Sequence, residues 1–411
     1  MEANERVKDT QEKQELWSWG AGTEGQLGTG KLQDEYLPQL IPILPSFSLL
    51  SCGGAHVIAL THGMHTLVKK VLTWGRGTSG QLGHGDKVNS LEPKSVEVLN
   101  NFNIAHVSAG WNHSGFVSEC GQLFICGDGS FGKLGLGDYM SQYSPIKVSH
   151  FASRHVYQIA CGMRHSLALL KGEHGDQVYG FGSGKRGQLG ISNEKVKSVS
   201  LPQNVSGLQE VNVSSIGANG DHSAALSSDG RVYTWGRGFD GDPDVCCPNC
   251  VISHYSFKQV ALGWNHALGL TDEGDVHMLG GSHHGILNNH QKEILVNQDL
   301  NEDKLKKIPG LNRIKVVGIA SGSEHSVLTT GKALLNGLKF CAENGMIMTW
   351  GWGEHGQLGL GGTGDQTCPQ VANDLCGRWR KTNNAICGLV GFKGGVFNSS
   401  DDIRVLRLPL D

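Results

Sequence analysis

The amino-acid sequence predicts an all-β fold, a seven-bladed β-propeller built of repeats about 55 residues long. Three observations support this prediction: one glycine-rich phrase recurs along the chain, a second phrase accompanies it, and glycine is abundant without a period of three. Gly accounts for 60 of the 411 residues, against 11 Pro, which is typical of many short strands joined by turns. A repeat of this length with several strands per unit indicates a propeller.

The first phrase is clearest at residues 71–83, VLTWGRGTSGQLG, and at 347–359, IMTWGWGEHGQLG. The residue before its first glycine marks the seven copies, at Trp19, Trp74, Cys126, Phe181, Trp235, Leu279 and Trp350. We interpret the recurring tryptophans, Trp19, Trp74, Trp235 and Trp350, as core residues. An aromatic ring on a buried strand supplies a large packing area.

The second phrase ends in a histidine followed by an apolar run and often by a turn such as Ser228-Asp-Gly230, which predicts a β-hairpin. Its six copies end at His56, His113, His165, His222, His266 and His325. One ring cannot perform unique chemistry in six equivalent places. We therefore predict buried structural histidines whose ring nitrogens satisfy backbone groups.

Composition narrows the function class. The 35 Lys and Arg balance 38 Asp and Glu, so no overall charge favours nucleic acid or an anionic membrane. No phosphate-binding loop, nucleophile elbow or His-Glu-x-x-His motif occurs, so we expect no catalytic residue, metal or cofactor. Met1 to Glu15 lacks an apolar signal region and no apolar run of 18 residues exists, which predicts a protein of the nucleus or cytoplasm without a membrane span.

The predicted domain organisation is a polar tail at 1–14, a seven-repeat propeller at 15–395 and a C-terminal segment at 396–411. The seventh repeat is degenerate, because it reads Cys387-Gly-Leu-Val-Gly391-Phe392 where a His-Ser pair is expected. A propeller closes when both chain ends share the last blade, so Leu16 to Gly20 is the expected N-terminal contributor. Residues 64–70 and 331–340 lengthen two hairpins, as loops or as gene-model errors.

Irregular copies are where a propeller carries its particular function. The fifth copy continues as Asp242-Pro-Asp244 and loses its Gln-Leu-Gly, and we predict Asp242 and Asp244 as partner contacts. Nearby Cys247-x-x-Cys250 suggests zinc, but a tetrahedral site needs four ligands and no second Cys-x-x-Cys exists.

The sixth copy is also irregular. It contains His283 and His284, which we predict as partner contacts, and it leads into the polar stretch 288–307. That stretch is expected to form an exposed loop or short helix, either for partner contact or as a tolerated insertion.

The paired phrases, Trp-Gly-x-Gly-x-x-Gly-Gln-Leu-Gly with Gly-x-x-His-Ser, resemble the regulator of chromosome condensation family over residues 15 to 375. The resemblance implies seven blades and a protein partner, either a small GTPase or a chromatin protein. In the name-giving member, an acidic residue and a histidine just before the repeated histidines support nucleotide exchange on the GTPase. Here Asp221 and Glu324 are acidic at that point, but no second histidine occurs there. Alternatively, Asp221 binds local backbone in its turn.

Plant-type members related to the ultraviolet-B receptor carry tryptophans in Gly-Trp-Arg-His-Thr motifs on adjacent blades. This chain has Gly110-Trp-Asn-His and Gly263-Trp-Asn-His, with asparagine in place of arginine and on units that are not adjacent. The leading hypothesis is therefore a non-enzymatic interaction propeller with a regulatory or scaffold role. The alternatives are a guanine nucleotide exchange factor and a chromatin-associated or ultraviolet-B-responsive propeller.

Overall fold

The computed structural model describes residues 15–41, 47–61, 69–172, 175–192, 196–281, 304–312, 314–331, 345–372 and 385–387. These residues form β-strands and three short 3-10 helices, at Glu97–Leu99, Ser130–Gly132 and Ser149–Phe151. The predicted polar tail 1–14 and the C-terminal segment 396–411 lie outside them, as do most of 64–70 and 331–340.

Six antiparallel sheets of four strands follow one another along the chain, and we call them blades 1 to 6. Blade 1 contains β3(Phe47–Cys52), β4(His56–Thr61), β5(Val71–Gly75) and β6(Ser90–Ser95). Blade 2 contains β7(Ile104–Ala109), β8(His113–Ser118), β9(Leu123–Gly127) and β10(Gln142–Lys147). Blade 3 contains β11(Val156–Cys161), β12(His165–Leu170), β13(Gln177–Ser183) and β14(Ser198–Asn204).

The second half of the chain repeats this arrangement. Blade 4 contains β15(Val213–Asn219), β16(His222–Ser227), β17(Val232–Gly236) and β18(Val245–Cys250). Blade 5 contains β19(Phe257–Leu262), β20(His266–Thr271), β21(Val276–Gly280) and β22(Leu305–Lys307). Blade 6 contains β23(Val316–Ser321), β24(His325–Thr330), β25(Ile347–Gly351) and β26(Gln366–Val371). Leu305 to Lys307 is thus a strand, which corrects the loop or short helix expected to extend to residue 307.

The remaining strands, β1(Glu15–Gly20), β2(Glu35–Leu40) and β27(Ala385–Cys387), form a three-stranded sheet that we call the terminal sheet. Both ends of the described chain meet here, since β27 pairs with β1. The pairing is parallel, with Leu16 opposite Ile386, whereas all pairs within the blades are antiparallel. The all-β propeller is confirmed, but the described residues show six four-stranded blades and not seven. The terminal sheet differs because the seventh unit lacks the His-Ser pair that begins a second strand.

Burial explains the strand pattern. The second strand of each blade is buried at all six positions, because each blade packs against a neighbour on both faces. The outer strands are more exposed and contain a proline within a register shift, as at Pro93 in β6. Proline and irregular pairing protect such an edge from adding further strands.

A hydrogen-bonded link joins neighbouring blades and begins at the repeated histidine. His165 Nε2 in blade 3 lies 2.9 Å from Ser223 Oγ in blade 4, and Ser223 Oγ donates to the Gln188 carbonyl at 2.7 Å. Because the hydroxyl has one hydrogen and gives it to the carbonyl, Nε2 must donate to the hydroxyl. The ring is neutral, since burial lowers the pKa of His165 to about 3.

The same link recurs between other blades. His56 lies 2.8 Å from Ser114, His113 lies 2.8 Å from Ser166 and His266 lies 2.9 Å from Ser326. All six repeated histidines are at most 1% exposed. The predicted partner was backbone, and this was wrong in these four blades because the serine that follows the next histidine reaches the ring first.

The repeated tryptophans use the same carbonyls. Trp235 Nε1 donates to the Gln188 carbonyl at 3.0 Å, and Trp74 donates to the Gln26 carbonyl at 3.0 Å. The four marker tryptophans are at most 2% exposed. Each conserved-looking phrase therefore supplies both the ring and the acceptor for the adjacent seam.

The glutamine of the Gln-Leu-Gly phrase also shapes its own turn. Gln81 Oε1 accepts from the Ser79 backbone N–H at 2.9 Å, and the same bond forms at Gln26, Gln188 and Gln357. Lys133 and Asp242 replace this glutamine in blades 2 and 4. In those two turns the residue that would donate, Phe131 or Asp240, has a left-handed φ of 64° or 50°. A left-handed φ is costly for a residue with a Cβ.

Two links differ from the rest. Ala267 stands where blade 5 should supply a serine, and His222 Nε2 instead lies 2.6 Å from the Trp264 carbonyl. His325 Nε2 is buried with no hydrogen-bond partner among the described residues. The serine it would need is replaced by Phe392 in the sequence of the seventh unit.

Comparing two histidines tests this network. His165→Ala should lower the free energy of unfolding by about 1 to 3 kcal/mol, because it leaves Ser223 without its donor and removes a buried bond. His325→Ala should cost about 1 kcal/mol less, since His325 Nε2 has no partner among the described residues. Urea unfolding of both variants measures the difference. An equal cost, or an unchanged stability in His165→Ala, contradicts the proposed role of the link.

Candidate functional site

The loops between the first and second strands of the six blades lie together at one end of the fold. They comprise residues 53–55, 110–112, 162–164, 220–221, 263–265 and 322–324, and we call this surface the axial face. Backbone bonds join one loop to the next, from Gly54 N to Gly110 O at 3.0 Å and from Trp111 N to Gly162 O at 3.1 Å. Met163 and Trp264 continue the series with bonds to Gly220 O and Ser323 O. The loops therefore form one rigid surface.

Two tryptophans meet at the centre of the axial face. The rings of Trp111 in blade 2 and Trp264 in blade 5 stack with centroids 5.9 Å apart and planes 13° apart. The sequence placed them on units that are not adjacent, yet the circular arrangement brings their loops together across the axis. Both indoles are partly exposed.

Two glycines make room for this pair. A Cβ on Gly54 would lie 3.0 Å from the Trp111 ring, and a Cβ on Gly220 would lie 2.7 Å from the Trp264 ring. Each glycine belongs to the blade that precedes its tryptophan. A side chain there would displace the indole, so each tryptophan depends on its neighbouring glycine.

Asp221, the acidic residue before the fourth repeated histidine, lies beside the tryptophan pair in the loop of blade 4. Its Oδ1 accepts from Gln188 Nε2 at 3.0 Å, and its Oδ2 lies 3.9 Å from Arg164 Nη1. These partners belong to blade 3, so the described contacts of the side chain cross the seam and are not with its own turn. The carboxylate is held in place at 14% exposure, where a binding partner can reach it.

A buried ion pair borders the same surface, and sequence reasoning missed it. Lys133 Nζ lies 2.6 Å from Asp128 Oδ2, with the lysine side chain only 2% exposed. Burial would raise the pKa of Asp128, but the bond and charge of Lys133 bring that pKa below its usual value. Burial lowers the pKa of Lys133. The signal was available, because Lys133 replaces the glutamine of the repeated phrase.

Next to this pair, Phe131 extends the surface towards Asp221. The Arg164 guanidinium lies 6.0 Å from the centre of the Phe131 ring. This distance suits a cation–π contact. Arg164 thus connects the strained turn of blade 2 with the Asp221 carboxylate of blade 4, and charge and aromatic surface alternate around the tryptophan pair.

The other predicted contact residues lie around this region. Asp242 pairs with Lys304 at 2.6 Å and Asp244 pairs with Arg186 at 3.1 Å. Exposed pairs of this kind contribute little stability, so a partner can exchange them. Glu324 lies in the loop of blade 6, where its carbonyl accepts from Trp352 N at 2.8 Å. His283 and His284 lie outside the described residues.

The cysteines provide no metal centre in the part of the chain that the structure describes. No group of three His, Cys, Asp or Glu side chains is close enough there to hold a metal ion. Cys246, Cys247 and Cys250 are partly exposed on the outer strand β18. Burial raises the pKa of Cys52 and Cys161 to about 12, which leaves these two thiols protonated and unreactive.

Comparison with known proteins places these features in context. A family model described as an RCC1-like domain matches residues 15–390. The Arabidopsis thaliana ultraviolet-B receptor UVR8 is 32% identical over 69% of this chain, which spans 65% of the receptor's length. The Mus musculus secretion-regulating guanine nucleotide exchange factor is 28% identical, with 84% of this chain and 76% of the factor aligned.

The fold is also found among solved structures. Prp20p of Saccharomyces cerevisiae, which was crystallised in a study of its binding to Gsp1p and histones, matches with a TM-score of 0.70. The match covers 89% of this chain and 86% of Prp20p at 23% identity, which shows a shared fold. Among the described residues, no helix is long and apolar enough to cross a membrane.

Near-ultraviolet circular dichroism tests the tryptophan pair. Two indoles stacked 5.9 Å apart couple their transitions, so Trp111→Phe and Trp264→Phe should each remove the same paired band. The double variant should lose nothing further from that band, because the signal belongs to the pair. Trp352→Phe is the control, since its ring contacts His355 and not the pair. Two independent and additive losses would show that the rings do not stack.

Proposed function

Because the chain belongs to the RCC1-like domain family, we propose that it is a non-enzymatic interaction propeller whose axial face binds a protein partner. The stacked Trp111–Trp264 pair carries this proposal. Protein interfaces commonly have an aromatic centre within a polar rim, and such centres supply most of the binding energy. Regulation or scaffolding by contact, without a chemical step, is the role that this surface suits.

The polar groups around the pair support the proposal. Arg164 and Asp221 lie at its rim, and Arg76 donates to the Asn112 side chain there. The backbone bonds between loops fix these groups before a partner arrives, which reduces the entropy lost on binding. The expected partner surface offers an apolar side chain for the pair and charges of both signs around it.

The finer architecture is also part of the proposal. The terminal sheet would be the seventh blade of a closed ring over 15–395, since it joins β1 near the start of the domain to β27 near its end. The nucleus or cytoplasm would be the site of action. The partner would be a small GTPase or a chromatin protein, because the similar protein Prp20p was studied for binding Gsp1p and histones.

A guanine nucleotide exchange factor is the second candidate. Asp221 favours it, because it is an accessible, fixed carboxylate on the axial face next to a repeated histidine. The similarity to the secretion-regulating guanine nucleotide exchange factor supports the same candidate. The absence of a second histidine at the equivalent loop positions weakens it.

An ultraviolet-B-responsive role receives less support from the same surface. The tryptophan pair resembles a chromophore in its stacking, but Asn112 and Asn265 provide neither the charge nor the cation–π contact of arginine. One stacked pair across the axis is also different from tryptophans on adjacent blades.

Charge reversal on one blade tests the interaction face. Asp221→Arg should reduce capture of specific partners by at least about tenfold in affinity purification with mass spectrometry, because it alters the rim of the pair. Asp229→Arg is the matched control, since Asp229 follows the opposite end of strand β16 and its side chain is 53% exposed. Equal loss in both variants, or in neither, contradicts the assignment of this face.

The same variants separate the two candidates. Labelled-nucleotide release from a panel of purified small GTPases should not accelerate when the wild-type chain is added. If release accelerates, and Asp221→Ala abolishes the effect while Asp229→Ala retains it, the exchange-factor candidate replaces the leading one.

A further inference from the structure

The seam between blades 4 and 5 loses two large side chains at once. Leu279 stands where other units have an aromatic marker, and Pro243 stands where they have the leucine of Gln-Leu-Gly. Those leucines, such as Leu82 and Leu189, are 1% exposed. The sequence therefore removes packing material from both sides of one seam.

The neighbouring glycine shows the consequence. In other units the glycine before the glutamine packs against the outer strand of the next blade, as Gly187 does against Cys246 and Gly80 against Tyr143. Gly241 occupies this position in blade 4, and nothing lies within 4 Å of a Cβ built on it. Blade 5 thus fails to close over blade 4 at the outer end of the seam.

A crevice occupies this place, and we call it the seam crevice. Its lining includes Val232, Thr234 and Val251 from blade 4 and Phe257, Leu279 and Leu305 from blade 5. Tyr255, 48% exposed, contacts Phe257 beside it. The lining is almost entirely apolar, so water gains few hydrogen bonds there.

The repeat itself indicates what fits. At comparable seams an aromatic ring packs on the last glycine of Gln-Leu-Gly, as Trp74 does on Gly28 and Trp235 on Gly190. Blade 5 supplies Leu279 instead. The shape of the propeller therefore provides for a planar ring that this chain does not itself contribute at the described positions.

The rim of the seam crevice is basic on one side. Leu305 lies between Lys304 and Lys306 on the outer strand, and Lys307 follows. Lys304 pairs with Asp242 and Lys307 with Asp275, but these lysines are 71% and 52% exposed. Exposed pairs are weak, so incoming carboxylates can replace them.

We propose that the seam crevice binds an aromatic side chain of a partner protein, flanked by carboxylates that meet the lysines of β22. This site is separate from the axial face and does not depend on the function proposed for that face. The ring would complete the packing that Trp74 and Trp235 complete in their own seams.

Short peptides test the proposal on the full chain. Acetyl-Asp-Trp-Asp-amide should bind in titration calorimetry at least about tenfold more tightly than acetyl-Asp-Ala-Asp-amide, because a buried ring is worth more than 1.4 kcal/mol. Acetyl-Lys-Trp-Lys-amide should bind more weakly than the acidic peptide. Equal binding of the Trp and Ala peptides, or no binding of either, overturns the proposal, as does binding of free indole without binding of the acidic peptide.

A substitution in the chain locates the site. Leu279→Trp should fill the seam crevice from within and abolish binding of the Trp peptide, while raising the thermal midpoint by a few degrees, about 2 °C or more. Val88→Trp adds an indole at a 66% exposed position of blade 1 and should leave binding unchanged. If Leu279→Trp fails to fold, Leu279→Phe serves in its place. Retained binding in the folded filled variant overturns the proposal.

Discussion

The hydrogen bond from each repeated histidine to the next blade is the interaction on which the rest of the structure depends. It joins sheets that share no strand, and it fixes where each second strand lies relative to its neighbour. Burial keeps these rings neutral, which allows Nε2 to donate to a hydroxyl without the cost of a buried charge. The carbonyl that receives the hydroxyl also receives the marker tryptophan in blade 4. One repeated phrase therefore holds both sides of a seam.

Both surfaces described for binding derive from this network. Its regular part aligns the loops of the axial face, so Trp111 and Trp264 can meet across the axis although blades 3 and 4 separate them in the chain. Its irregular part, where Ala267, Leu279 and Pro243 replace the repeated residues, leaves a seam that is less well packed. A propeller gains stability where each unit repeats and gains particular contacts where a unit departs from the repeat.

The sequence predicted the elements that depend on local spacing. The markers located the third strands, the histidines located the second strands, and glycine-rich turns located the hairpins, because each signal lies within its own unit. Stacking of Trp111 on Trp264 depends on how the ring closes, which no local pattern records. The parallel pairing of β27 with β1 is of the same kind. The serine partner of His165 could have been anticipated, since Ser223 recurs after the next histidine, and so could Lys133, which breaks the glutamine pattern.

Native-state hydrogen exchange tests most directly the claim that the histidine links hold the ring together. Strand β12 has a complete link on both seams, through Ser166 and His165, whereas β24 has one through Ser326 and none from His325 among the described residues. The account predicts that amides of β24 exchange through an opening at least about 1 kcal/mol less costly than that of β12. Equal opening free energies in the two strands would contradict it.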